Sequence, residues 1–324
     1  MDLTEDKLKK EVSSFVSSLQ RLLPKKKDII VIAPQILKLT RLNDVHAEAK
    51  SVFPKCFLGA KLVILREIMD KVKLIQQYNY GTSKENYKCF IPLLHNEMQP
   101  KNSSDGLLID SAGCATATYT DVLEGAYVMR LTSKIKDLIS SETELVFEKD
   151  NEKSLGSVSC VMKDVDPNSM RVVTQWMYRI RSDFSIGTEV GLKPLAYPPV
   201  PEYSLSARYE QPSFTISSTV CKSGFQVCLY KKFSPDLRIA AVVHDGNRGG
   251  TTSVGVAVHK SCRNSSEMKV FVDSMRCGGF TFQKDILFYE PQESNEVRVL
   301  RLIGSTLIDR QRRVRFGLGF NLDF

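Results

Sequence analysis

From Phe57 onward, apolar and polar side chains alternate in run after run, and turn residues separate the runs. "DFSIGTEVGL" (183–192) sets Phe184, Ile186, Thr188, Val190 and Leu192 against Asp183, Ser185, Gly187, Glu189 and Gly191. "EYSLSARYE" (202–210) sets Tyr203, Leu205, Ala207 and Tyr209 against Glu202, Ser204, Ser206 and Arg208, and "SFTISSTV" (213–220) repeats the pattern. A period of two is that of a strand with one apolar and one polar face. The runs number eighteen or nineteen, with register least defined over 134–170 and 277–304. Residues 57–324 shared among nineteen runs give about 14 each, a strand of about ten residues plus a short turn. Strands of a soluble sandwich average about 5–6 residues, whereas a tilted strand crossing a bilayer needs about 9–11. The expected fold is therefore all-β, a transmembrane antiparallel β-barrel.

The last run, "RRVRFGLGFNLDF" (312–324), places Val314, Phe316, Leu318, Phe320, Leu322 and Phe324 on one face. An open edge this long and apolar templates aggregation, and closing the barrel removes it. The last strand is expected to pair with the first, near Phe57–Ile68, with its apolar face in lipid. Residues 1–56 form an N-terminal extension before a barrel over 57–324. In it, Leu8, Val12, Phe15, Val16, Leu19, Leu22 and Leu23 predict a helix over about 4–23, closed by Pro24. Asn43 as a cap, then Val45, Ala49, Val52 and Phe53, predict a second over 43–53, closed by Pro54. The "DIIVIAPQIL" between them reads as extended.

Composition narrows the function classes. Hydrophobic residues make up 42% of the 324, too many for a disordered chain. No apolar run approaches the roughly 18–20 residues of a spanning helix. The acids Asp2, Glu5 and Asp6, without an apolar stretch behind them, argue against a secretory leader or a cleaved presequence. Eight cysteines and four histidines are scattered singly, which predicts free thiols in a cytosol-facing protein and no metal or cofactor. The net charge of +8 divides evenly, +4 before residue 57 and +4 after it. It would suit anionic solutes or lipid headgroups. No dense basic patch interleaved with aromatics points to nucleic acid, and Lys25–Lys27 reads as a solvated helix end. "GNRGG" (246–250) lacks the ending of a phosphate loop, and His244 and His259 have no neighbours in sequence that suggest a triad, so no enzyme is expected.

Strand parity supplies candidate lumen-lining residues: Lys61, Lys71, Lys73, Asp183, Glu189, Glu202, Arg208, Arg238, Arg313 and Arg315. Each also suits any water-facing side of an amphipathic sheet. Gly59, Gly187, Gly191, Gly317 and Gly319 are read as relieving curvature or letting a helix come close, ahead of any ligand role.

Two stretches carry a family resemblance. "RFGLGFNL" resembles the sorting signal of mitochondrial β-barrels, with Arg315 as the polar residue, then Gly317, Phe320 and Leu322. "NDVHAEAKSVFPKCFLGAKLVI" (43–64) resembles the pore-forming subunit of the translocase of the outer mitochondrial membrane. There a short Asn-led helix ends in a hydrophobic Phe-Pro step before a first strand with Gly-x-Lys-Leu; here these are Asn43, Phe53, Pro54, Gly59, Lys61 and Leu62. Asp110 and Gly113 in "LLIDSAGCATA" and the run "YSLSARYEQPSFTISSTV" resemble further strands of that family. The chain departs from it at Asn43-Asp44-Val45, where the family has Asn-Pro-Gly, and in its positive barrel, where the family has acidic patches.

The resemblance implies a divergent member of the mitochondrial porin superfamily, with about 19 strands, first and last parallel, and the helix at 43–53 inside the lumen. The helix at 4–23 would lie outside the barrel or on a partner. It implies a protein-conducting channel in the outer membrane of a mitochondrion or a derived organelle. Implied partners are precursor polypeptides in transit, small single-helix subunits, a receptor subunit, further copies of the barrel and the bilayer. A second reading is a metabolite porin of the voltage-dependent anion channel type, favoured by the positive charge and by "GLK" at 191–193. A third is a soluble β-sheet interaction protein, which alkaline carbonate would release from membranes.

Overall fold

The computed structural model describes residues 39–69, 71–81, 90, 93–95, 105–110, 113–123, 127–136, 140–193, 201–246, 252–262, 265–289 and 297–323. The helix expected over 4–23 lies outside them. Leu39–Phe324 forms one compact unit. A single 3-10 turn (Leu42–Asp44) leads into helix α1 (Ala47–Val52). Eighteen strands follow: β1 (Gly59–Met69), β2 (Val72–Tyr80), β3 (Gly106–Asp110), β4 (Ala115–Leu123), β5 (Tyr127–Lys136), β6 (Ser140–Asp150), β7 (Ser154–Lys163), β8 (Asp166–Arg181) and β9 (Phe184–Leu192). The second half comprises β10 (Glu202–Gln211), β11 (Phe214–Cys221), β12 (Gly224–Lys232), β13 (Leu237–Gly246), β14 (Ser253–Cys262), β15 (Ser266–Asp273), β16 (Gly278–Tyr289), β17 (Val297–Ile308) and β18 (Val314–Asp323).

Each strand pairs with its neighbours in sequence and β18 pairs with β1, so the sheet closes on itself. The β1–β18 seam is parallel, with Gly59 beside Gly317, Lys61 beside Gly319 and Leu62 beside Phe320. The expected parallel meeting of first and last strands is present, but its cause differs from the expected odd strand number. β2 and β3 are also parallel, with Val72 to Ile75 beside Leu107 to Asp110. Around a closed ring the chain direction reverses at each antiparallel pairing, so those pairings must be even in number. Nineteen strands satisfy this with one parallel seam, and eighteen satisfy it with two. The described ring therefore has eighteen strands in place of nineteen, and β2 touches β3 with no strand between them.

The two faces differ as the alternation requires. Outward, Phe316 is 70% exposed, Tyr203 61% and Trp176 54%; inward, Arg208 is 1% exposed, and Gln226 and Thr219 are fully buried. This is the reverse of a soluble domain, where charge faces water and aromatics face the core. It is the arrangement of a barrel bathed in lipid with a wet interior. Among the described residues no helix is long and apolar enough to cross a membrane.

Gly59, the first residue of β1, has φ +80°. A Cβ there would strike the backbone of Tyr80 and Gly81, so both the turn into β1 and its closeness to β2 require glycine.

Cysteines replacing Leu74 and Ile109, register partners on the outer face, should form a disulfide on oxidation. Adjacent strands lie about 4.8 Å apart, whereas an intervening strand would double this to about 9.6 Å, beyond the roughly 7 Å limit for bridging. A full shift in gel mobility on oxidation supports two parallel seams; no cross-link restores a nineteenth strand between β2 and β3.

Candidate functional site

The lumen is partly filled by the chain's own entry segment. Residues 39–58 run along the inner wall from β6 and β7 round to β18 before becoming β1. Arg41 pairs with Glu148 of β6 at 2.7 Å. Leu39, Leu42 and Val45 pack with Leu155 of β7 and Met177 of β8. Ala49, Val52, Phe53 and Leu58 pack on Cys228, Ala240, Val242, Ala257, Phe271 and Leu307. This patch of inner wall carries small and apolar side chains where an empty aqueous lumen would favour polar ones. Several glycines complete the fit. A Cβ at Gly187 would strike Leu42, one at Gly279 would strike Cys56 and Phe271, and ones at Gly317 and Gly319 would strike Phe57. At Gly255 a Cβ would lie 3.3 Å from the Phe53 ring. At Gly187 the close neighbour is Leu42 of the 3-10 turn, while at Gly317 and Gly319 it is Phe57 in the extended chain beyond α1 and not a helix. Gly191 instead faces Arg171.

Polar contacts fix the register of the segment. His46 lies between two hydroxyls of β11, with Nδ1 2.7 Å from Ser217 Oγ and Nε2 2.9 Å from Thr219 Oγ1. Burial, reinforced by Lys50 and Arg208, lowers its pKa to about 3. The ring is thus neutral, so one nitrogen donates and the other accepts. Arg208 of β10 donates through Nη1 to the Val45 carbonyl at 2.8 Å and to Glu48 Oε2 at 2.6 Å. Its Nη2 donates to Glu48 Oε1, and its Nε to Glu210 Oε2 at 3.1 Å. A buried guanidinium with four acceptor oxygens on three residues satisfies the condition for burying charge. Glu189 of β9, 6% exposed, accepts from Gln175 Nε2 at 2.5 Å and from the His95 backbone N–H at 3.1 and 3.0 Å. Gln175 donates as well to Asn43 Oδ1 at 2.6 Å. Burial likewise lowers the pKa of His95, to about 4. Phe90 meets Phe53 edge-on, ring centroids 5.0 Å apart, so the connection from β2 to β3 also touches the lumen.

These contacts correct several expectations. Asn43 caps no helix: it sits inside the 3-10 turn and spends its side chain on Gln175, while His46 precedes α1 without capping it by side chain. The helix expected over 43–53 is broken into that turn and the six residues of α1. Phe53 is buried in the apolar cluster, and Pro54 follows where the chain leaves α1.

Of the proposed lining residues, Lys61, Lys73, Glu189, Glu202, Arg208, Arg238 and Arg315 lie on the inner face of their strands, in register with inward neighbours. Lys71 and Asp183 lie in the turns that precede β2 and β9, and Arg313 lies just before β18, so none of the three is within a strand. Arg208 is tied up holding the internal segment, and Glu189 holds the His95 backbone and Gln175, which in turn reaches Asn43. Gly317 faces inward under Phe57, while Phe320 and Leu322 face outward. His46, Ser217 and Thr219 went unnoticed in sequence because a polar residue on an inward face is unremarkable there. Among the described residues no group of side chains could hold a metal ion.

A closed sheet with an apolar exterior and a charged, partly filled interior defines a membrane-type β-barrel. No protein-family model matches the chain. It is similar to two curated proteins. The mitochondrial import receptor subunit TOM40 homolog of Caenorhabditis elegans is 24% identical over 201 residues, covering 60% of this chain and 66% of that protein. The TOM40 homolog of Caenorhabditis briggsae is 23% identical over 196 residues, covering 59% and 65%. The match thus spans just under two thirds of either relative. Among solved structures, mutants of the Rhodopseudomonas blastica porin align at 9% identity and TM-scores of 0.44 to 0.46, over 63% of this chain and 87% of theirs.

Acid should loosen the internal segment. The folded-state pKa of His46 lies below the usual 6.5, so undocking takes up a proton and docking weakens as pH falls below about 6.5. At 1.36 kcal/mol per pH unit, the loss reaches about 2 kcal/mol at pH 5. Hydrogen exchange of the amides at 42–52, corrected for intrinsic rate, should show protection falling over this range in the wild type and a flat profile in His46→Gln. Arg208→Ala leaves Glu48 and the Val45 carbonyl unpaired and should weaken docking by roughly 3 kcal/mol, read as lost protection in the same amides at neutral pH.

Proposed function

We propose that this protein is a protein-conducting channel of the outer membrane of a mitochondrion or a mitochondrion-derived organelle, passing unfolded precursors from the cytosol. The observation that carries the reading is the closed barrel with its entry segment on the inner wall, in a chain with sequence similarity to two TOM40 homologs. On this reading the chain is a divergent member of that family within the mitochondrial porin superfamily. Transport needs no covalent step. An extended polypeptide would exchange weak contacts with inward charges of both signs, such as Lys61 and Lys73 on one side and Glu142 and Glu144 on the other. In register terms, Lys134 lies beside Glu142 and Glu67 beside Lys73, so along β1 to β6 opposite charges are neighbours. Small single-helix subunits, a receptor subunit and further barrels are its proposed partners. Arg315, Gly317, Phe320 and Leu322 are the proposed sorting signal, and Gly317 has in addition the steric role under Phe57.

A second reading, a metabolite porin for anions, is favoured by one feature, the lysines gathered at one side of the lumen. The two separate on depletion in the native cell. The channel reading predicts that a matrix precursor accumulates uncleaved in the cytosol within the depletion period. Unimpaired import together with altered metabolite flux would replace it with the porin reading.

A further inference from the structure

Beyond cargo passage, the lumen contains a cavity of about 450 Å³ between residues 50–57 and the wall formed by β1, β15, β16, β17 and β18. Among the described residues its lining carries Lys50, Lys55, Lys61 and Lys269 and one carboxylate, Glu267. Lys55 and Lys61 form no ion pair or hydrogen bond among the described residues. Lys269 Nζ donates to the Ser51 carbonyl at 2.9 Å, which leaves two of its three N–H groups. The basic character continues along the wall, because Arg238, His259 and Lys269 are successive register partners on the inner faces of β13, β14 and β15. His259 is only 5% exposed, yet neither ring nitrogen has a hydrogen-bond partner among the described residues, nor has Arg238 Nε. The nearest carboxylate oxygen, from Glu267, is 3.5 Å from His259 Nε2.

Gathering ammonium groups around a partly enclosed space costs mutual repulsion and desolvation unless a counter-anion shares it. Among the described residues, one carboxylate against Lys55, Lys61 and Lys269 does not balance the charge. We infer that this cavity binds a polyphosphate chain, with Lys55, Lys61 and Lys269 on its oxygens. Lysine ammoniums suit phosphate as point charges without demanding a fixed fork geometry. The volume is that of a small-molecule site. The Phe57 ring on the same lining offers an apolar surface to a base, so the chain can come from a nucleoside polyphosphate or from inorganic polyphosphate. Glu267 sets a limit: it repels a phosphate placed against it, so the phosphates sit on the Lys55–Lys61 side.

The test uses the full chain refolded in detergent micelles, with inorganic tripolyphosphate and ATP titrated separately by calorimetry at 150 mM salt. Saturable binding of tripolyphosphate is expected, weakened at least tenfold in Lys55→Glu/Lys61→Glu and unchanged in Lys153→Glu/Lys163→Glu, which alters charge equally elsewhere. Retained heat-modifiable gel mobility shows that each variant is folded, and Lys55→Gln/Lys61→Gln replaces the first pair if it is not. Tighter binding of ATP than of tripolyphosphate assigns the site to nucleotides, and equal binding assigns it to the bare chain. No saturable binding up to millimolar concentration, or equal loss in both double variants, would overturn the inference. The measurement needs only a folded barrel, so its failure would leave the import reading untouched, and failure of import would leave the site untouched.

Discussion

In hydrocarbon, every backbone N–H and C=O must find its partner within the protein, because no water is present to take its place. For a chain of strands this forces a ring, and the ring forces parity. The chain can meet its own beginning only if its antiparallel pairings are even in number, and sixteen of them with two parallel seams meet that demand. The short β3 is where this chain meets it. The connection from β2 to β3 must return to the end of the barrel where β2 began, and its described residues Phe90 and Leu93–His95 do so in touch with the lumen.

Closure also determines what the interior can be. A lumen lined only by polar side chains would stay open. This wall instead carries an apolar track, with small residues and glycines beneath Leu42, Phe53, Cys56 and Phe57. The internal segment is held by apolar burial along its length and by a few polar contacts that set its register. Arg208 and His46 do this in complementary ways, one as a charge with four acceptor oxygens and the other as a neutral ring between two hydroxyls. A passage through the barrel must therefore run past this segment.

The barrel was legible in the sequence because lipid outside and water inside impose alternation at every strand. That signal placed the run at 183–192, the run at 202–210 and the last strand on their correct faces. It fails at strand ends, where turn and strand residues share the same polarity, as at Lys71, Asp183 and Arg313. It also fails for strand number, because parity is a property of the ring and no single run carries it. The internal helix was visible through Val45, Ala49, Val52 and Phe53. Its partners were not, since Ser217, Thr219 and Gly255 differ in no local way from other inward residues. The lysine cavity joins residues from β1 and β15 that are far apart in sequence, so only the folded wall brings Lys61 and Lys269 together.

The central claim is that the molecule is inverted, with lipid outside and water within. Single cysteines placed in turn at positions 314–323 of an otherwise cysteine-free protein in liposomes test it most directly, by their rate of reaction with a charged thiol reagent. The account predicts fast labelling at 315, 321 and 323, slow labelling at 317 and 319 beneath Phe57, and protection at 316, 318, 320 and 322. Equal labelling along the strand, or fast labelling of the even positions, would contradict it.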